Sequence, residues 1–121
     1  MKFMVVDDSD VIRTKIQNVL SKEDFEIVGT AADGLEAVEQ FTKLRPRVMT
    51  LDLTMPKFDG IQAITEIMKV DPDVRILVVS ALADKATLIK AMHLGAYGFL
   101  CKPFTDNDLA EAVEELIEDI V

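Results

Sequence analysis

Tryptophan is absent from this 121-residue chain, and cysteine, histidine and tyrosine occur once each. With Cys101 as the single thiol, neither a disulfide framework nor a cysteine-based metal site is available. In the apolar run "YGFLC" that thiol reads as buried and inert. Basic residues are the minority, thirteen against twenty-two acidic ones, for a formal net charge of −9. That balance argues against nucleic acid or anionic membrane as a direct partner, since both need a positive face. No apolar run approaches the roughly 18 residues of a membrane span, and "MKFMVV" is too short for a signal-peptide core. The cytoplasm is therefore the expected location. There is no internal repeat, linker or low-complexity segment. The length fits one domain over residues 1–121, long enough for a core without staples. Met1 and the lack of a trailing linker favour a stand-alone domain.

What the chain does have is alternation. Short apolar runs, "KFMVV" (2–6), "FEIVGTA" (25–31), "RVMTL" (47–51), "RILVVS" (75–80) and "AYGFLC" (96–101), read as strands. Several are apolar nearly throughout, as suits strands covered on both faces of a parallel sheet. Between them lie stretches of helical period. Ser9 or Asp10 can cap a helix carrying Ile12, Ile16, Val19 and Leu20. "DGLEAVEQFTKL" carries Leu35, Val38 and Phe41. Gly60 opens a segment with Ile61, Ile64, Ile67 and Met68 that stops before Pro72. A fourth carries Leu88, Ile89 and Met92 and ends at Gly95. A fifth has Leu109, Ala112, Val113, Leu116, Ile117 and Ile120 inward, with its many acids as a solvated face. Five strands alternating with five helices predict a doubly wound, parallel α/β domain.

In such a sheet, ligands bind in the crevice outside the carboxyl ends of the strands. The first polar residues after the apolar runs are Asp7 and Asp8, Asp52, Ser80 and Lys102, the last followed by Pro103. Side chains of neighbouring strand residues point to opposite faces, so Asp7 and Asp8 converge only where the strand stops and the chain turns. The second run offers nothing obvious. With it at the edge, in strand order 2-1-3-4-5, the other four ends cluster at the switch point. Three carboxylates close together repel unless a cation sits among them. With neither Cys nor His in the set, a hard divalent ion such as Mg²⁺ fits better than zinc. Ser80 and Lys102 are left to hold an anion, the combination that stabilises a transferring phosphoryl group. A carboxylate can itself accept that group, and Asp52 on a central strand is the best placed. Taken singly, each of these residues is as well explained as a polar strand end or cap.

The motifs "VVDDS" (5–9), "LDLTMPKFDG" (51–60), "VVSA" (78–81) and "GFLCKPF" (98–104), in that order and each at a strand end, resemble the receiver domains of two-component response regulators. The similarity runs the length of the chain and is greatest to the single-domain, CheY-like chemotaxis type. It implies a flavodoxin-like (βα)5 fold with Asp52 as phosphoacceptor. It also implies Mg²⁺ held by Asp7, Asp8, Asp52 and the main-chain carbonyl of Thr54. Ser80 would move to bond the phosphoryl group, Lys102 would pair with it, and the Lys102–Pro103 bond would be cis. Phe99, three residues before the lysine, matches a switch aromatic; Tyr97 shares its strand face. Such a protein takes its phosphoryl group from a sensor histidine kinase or phosphotransfer protein. It is no enzyme beyond its own phosphorylation and slow hydrolysis.

Gly60 reads as a helix start and Pro56 as a rigid loop. Leu82, two residues beyond Ser80, cannot hydrogen-bond water and is expected to slow self-dephosphorylation, leaving room for a separate phosphatase. His93 lies far from the acidic ends and reads as a helix-surface or partly packed residue. No nucleotide-binding glycine loop is present, so the phosphoryl donor is external. Phosphorylation adds about one and a half to two negative charges beside Ser80 and Lys102. Drawing Ser80 inward would let Phe99 follow, altering the face formed by the fourth helix, fifth strand and fifth helix near Lys85 and Lys90. The signal would leave by protein–protein contact, to the flagellar motor or another effector. Three rivals share features with this chain. "DLT" (52–54) has the first acid of a haloacid-dehalogenase-type phosphatase motif but lacks the second and the length. A flavodoxin-like carrier would be repelled by "DDSD". A pseudo-receiver acting only as a binding module would normally have lost part of the acid set or the lysine.

Overall fold

In the computed structural model, which describes residues 1–55, 57–81 and 85–120, strands and helices alternate without exception. They are β1 (Lys2–Val6), α1 (Asp10–Ser21), β2 (Glu26–Ala31), α2 (Gly34–Leu44), β3 (Val48–Leu51), α3 (Gly60–Val70), β4 (Arg75–Ser80), α4 (Lys85–Leu94), β5 (Gly98–Cys101) and α5 (Asp106–Ile117). All neighbouring strands pair in parallel, in the order β2-β1-β3-β4-β5. Pro56 and Leu82, both singled out by the sequence, lie outside the described residues.

The three inner strands are buried almost end to end because helices cover both faces of the sheet. Alternate residues feed two cores. Met4, Val6, Met49, Leu51, Ile76 and Val78 pack with Phe41 of α2 and Ile64 and Ile67 of α3. Phe3, Val5, Val48, Leu77 and Val79 pack with Ile16 and Leu20 of α1 and Leu109 and Val113 of α5. Each fully buried side chain of this size contributes about 1.5–3 kcal/mol. Polar caps set where the helices begin. The carboxylates of Asp33 and Asp59 accept the N–H groups of Glu36 and Gln62, and the Ser9 hydroxyl accepts that of Ile12. Ser9 is thus the cap of α1, and Asp10 its first residue.

The edge of the sheet departs from the apolar pattern. β5 is buried on one side only, so Phe99 and Cys101 face outward, and Cys101 is exposed rather than buried. An all-apolar run at an edge strand lacks the second helical layer that an inner strand has. Leu35 and Ile89, placed on apolar helix faces by their spacing, are likewise exposed at 48% and 55%. His93 is on the surface, as are Lys85 and Lys90.

Candidate functional site

Strand register brings the polar ends together. Val6 of β1 pairs with Leu51 of β3, so Asp7 and Asp52 follow side by side at the carboxyl edge. The ladder continues past the strands: Asp7 N–H donates to Ala31 O at 3.0 Å and Asp52 N–H to Val6 O at 3.2 Å. On the other side Ser80 pairs with Cys101, and Lys102 N–H donates to Ser80 O at 3.0 Å. From there the lysine side chain reaches past β4. Its Nζ lies 2.7 Å from Asp7 Oδ2 and 3.3 Å from Asp52 Oδ2. The Lys102–Pro103 bond is cis.

Asp7 is fully buried, Asp52 and Ser80 are 5% exposed, and Asp8 and Thr54 face solvent. Main-chain donors fix the inner carboxylates. Asp7 Oδ1 accepts the Ser9 N–H at 2.9 Å, and Asp52 Oδ1 accepts the Thr54 N–H at 3.1 Å. Asp7 Oδ2 sits close to the ammonium but off the hydrogen-bond axis, so its compensation there is mainly electrostatic. Burial pushes the Asp7 carboxyl above its usual range; Lys102 and the Ser9 N–H oppose this, and the charge of Asp52 adds to it. For Lys102, burial pulls the ammonium down, yet the combined attraction of Asp7 and Asp52 holds it above the usual lysine value.

Asp8, Asp52, Thr54, Ser80, Ala81 and Lys102 line one open cavity of about 350 Å³. Carboxylate oxygens of Asp7, Asp8 and Asp52 lie within 4.8 Å of one another. An all-oxygen set of this spacing, with one buried oxygen short of hydrogen bonds, fits a hard divalent cation. Of the sequence-derived candidates, then, Asp7, Asp8, Asp52, Thr54, Ser80 and Lys102 converge. Phe99 stands apart, 51% exposed, beside a shallow groove that it shares with Tyr97 and Glu115. Gly60 lies beneath the loop that follows β3: a Cβ there would come within 2.6 Å of Asp52 O and 2.5 Å of Leu53 Cα.

Two supporting residues were not evident from the sequence. Arg13 donates to the main-chain carbonyl of Asp7 and pairs with Asp10, bracing the turn that carries the acids. Its spacing of three from Asp10 on a helix was the available signal. At Gly34, a Cβ would fall 1.7 Å from Phe58 O, so the start of α2 and the loop after Asp52 touch backbone to backbone. No local pattern announces a contact between segments so far apart.

The chain matches the sequence profile described as "Response regulator receiver domain" over residues 3–114. It belongs to that family. It is 39% identical to the chemotaxis protein CheY of Thermotoga maritima, with 95% of this chain and 96% of that protein aligned. Among solved structures it resembles the CheY of the Borrelia burgdorferi CheX–CheY–BeF3–Mg²⁺ complex. That match has a TM-score of 0.92 and 32% identity, covering 97% of this chain and 89% of the other. It also resembles the response regulator domain of Thermotoga maritima CheB, with a TM-score of 0.87, 36% identity and coverage of 98% and 94%. The receiver domain's strand order, shared by CheY and flavodoxin, is the arrangement for which binding at the β1/β3 switch point is a general rule. The chain is thus a CheY-like receiver of the two-component, chemotaxis-related kind. Among the described residues no helix is long and apolar enough to cross a membrane.

Proposed function

We propose that this chain, as a single receiver domain over residues 1–121, is a cytoplasmic phospho-accepting response regulator with Asp52 as acceptor. The observation that carries the reading is Lys102 Nζ lying against both Asp7 and Asp52 at a cavity that Ser80 and Asp8 also line. A carboxylate oxygen of Asp52 attacks the phosphorus of a phosphohistidine on a sensor kinase or phosphotransfer protein. The P–N bond breaks, the leaving imidazole nitrogen takes up a proton, and Asp52 keeps the phosphoryl group as an acyl phosphate. The ammonium of Lys102 holds the phosphoryl oxygens, and the Ser80 hydroxyl donates to them. Asp7, Asp8, Asp52 and the Thr54 carbonyl would hold Mg²⁺, which when bound supplies charge neutralisation for the phosphoryl oxygens. Receiver domains are generally not enzymes, and the chemistry ends with the chain's own phosphorylation and slow hydrolysis.

The signal leaves through the face of α4, β5 and α5. Movement of Ser80 toward the phosphoryl group is coupled to an inward turn of Phe99. The Borrelia burgdorferi neighbour, solved with CheX, BeF3 and Mg²⁺, supports a protein partner and a metal-dependent acyl phosphate for this chain too. A chemotaxis effector such as the flagellar motor is the proposed target, with a separate phosphatase to end the signal.

The test is intact-mass spectrometry after incubation with acetyl phosphate, with and without Mg²⁺, on the wild type and Asp52→Asn. One phosphoryl adduct that requires both Mg²⁺ and Asp52 is expected. An unmodified wild type would make the chain a pseudo-receiver that works by binding alone.

A further inference from the structure

The end of the sheet opposite Asp52 carries a second feature, which the phosphoryl chemistry does not use. Helix α5 has two flanks of helical spacing. Ala112, Glu115, Leu116 and Asp119 lie along one, where Arg75 donates to Leu116 O at 2.8 Å and pairs with Asp119 at 2.6 Å. Ala110, Val113, Glu114 and Ile117 form the other. With the turn between α1 and β2, they line a groove of about 360 Å³. Its apolar floor is Phe25, Val113 and Ile117, and its rim is Glu23, Asp24 and Glu114. Phe25 is held in place by an edge-to-face contact with Phe3 at 5.2 Å.

The charge of this groove is lopsided. Among the described residues, none of the three rim carboxylates is in an ion pair. Neither α1 nor α5 has a basic residue in its last turn, so the partial negative charge of both helix ends stands behind the rim. Met1 also lines the groove and brings one ammonium against the three rim carboxylates, and Lys22, the cap of α1, precedes Glu23. An apolar floor inside an acidic rim, on a protein of net charge −9, repels anionic membrane and nucleic acid and selects a cationic, apolar-tipped ligand.

We infer that this groove docks a short basic segment of a partner protein, with one bulky apolar side chain on the floor and flanking Lys or Arg on the rim. The groove lies at the end of the sheet opposite Asp52 and uses the flank of α5 turned away from Tyr97 and Phe99, so docking there leaves both the acceptor cavity and the Phe99 side of α5 uncovered. A partner can therefore stay attached while the phosphorylation state changes.

The experiment is a selection of random peptides displayed on phage against the immobilised, unphosphorylated chain. Recovered peptides are then titrated against the ¹⁵N-labelled protein. Expected is a consensus of Lys or Arg around a Leu, Ile, Phe or Trp, shifting the amides of Phe25, Val113 and Ile117. Affinity should fall roughly tenfold or more in the double reversal Glu23→Lys/Glu114→Lys, and also fall at high salt. Both positions are exposed, and circular dichroism confirms that the double variant is folded. Failure to enrich any consensus, an acidic or uncharged consensus, or binding unaffected by the double reversal would overturn the proposal. Because acetyl phosphate is never added, the result is separate from the question of Asp52 as acceptor.

Discussion

At the scale of single residues the site is a balance of charge around Lys102. Its ammonium sits where two buried carboxylates need compensation, and a divalent cation would draw on the same two carboxylates together with Asp8. The two cations therefore compete electrostatically. Replacing the lysine, as Lys102→Met, should lower Tm in metal-free buffer, because Asp7 and Asp52 then face each other unscreened. The same change should tighten Mg²⁺ binding by about tenfold, or 1.4 kcal/mol, in an isothermal titration. Unaltered Mg²⁺ affinity would mean that lysine and metal do not share those carboxylates. The residues that carry this balance were legible in the sequence because each is the first polar residue after an apolar run. The exposure of Cys101 was not legible: whether an apolar run is covered depends on its place in the sheet, and a five-residue window does not encode that.

At the scale of elements, two features hold the site-bearing loops. One is the backbone contact of α2 with the loop after Asp52. Gly34→Ala puts a methyl 1.7 Å from Phe58 O, and since a carbonyl cannot rotate aside, the loop or the helix must shift. A cost of roughly 3 kcal/mol or more in urea unfolding is expected. Gly29→Ala is the control: its Cβ would meet Leu44 Cδ1, a side-chain end that can turn away, and the cost should stay below about 1 kcal/mol. Equal costs would contradict the backbone contact. The second feature is the capping box of α5, just after Lys102 and Pro103. The Thr105 hydroxyl accepts the Asp108 N–H, and the Asp108 carboxylate accepts the Thr105 N–H, each at 3.0 Å. Thr105→Ala should cost about 1 kcal/mol. The hydrogen bonds from Thr105 hold the Asp108 carboxyl below its usual range. Its stabilising effect is therefore complete above the ordinary carboxylate range and is lost as pH falls through the lowered value. The Tm gap between wild type and Asp108→Asn should accordingly close in acid; a gap independent of pH would exclude the charge. Helix starts such as this one were readable from Ser, Thr and Asp before apolar stripes. The Gly34 contact was not, since it joins α2 to a loop more than twenty residues away.

At the scale of the whole molecule, the alternation of strands and helices followed from period and run length, and the strand order β2-β1-β3-β4-β5 from the second run ending on no polar residue. Apolar runs marked the strands but did not separate inner from edge, since the edge strand β5, GFLC, is as apolar as the inner ones. What period could not supply was which apolar side chains remain outside, and the proposed switch rests on one of them. Phe99, 51% exposed, and Tyr97, 48% exposed, lie on the open edge of β5, with the ring of Tyr97 stacked on Arg75 at 4.3 Å. An exposed phenyl ring beside a strand end that carries Ser80 and Lys102 has apolar area to gain by turning inward. In the proposed switch, drawing Ser80 toward a phosphoryl group opens that space. The chain has no tryptophan, so Phe99→Trp would be a single fluorescent reporter. Beryllofluoride with Mg²⁺ should shift its emission to the blue and raise its anisotropy as the ring leaves water, and neither change should occur in Phe99→Trp combined with Asp52→Asn. If emission stays constant while mass spectrometry shows that the same variant is phosphorylated on Asp52, the acceptor assignment survives and the coupling of this aromatic to it does not. The output signal would then have to travel through some other part of the α4–β5–α5 face.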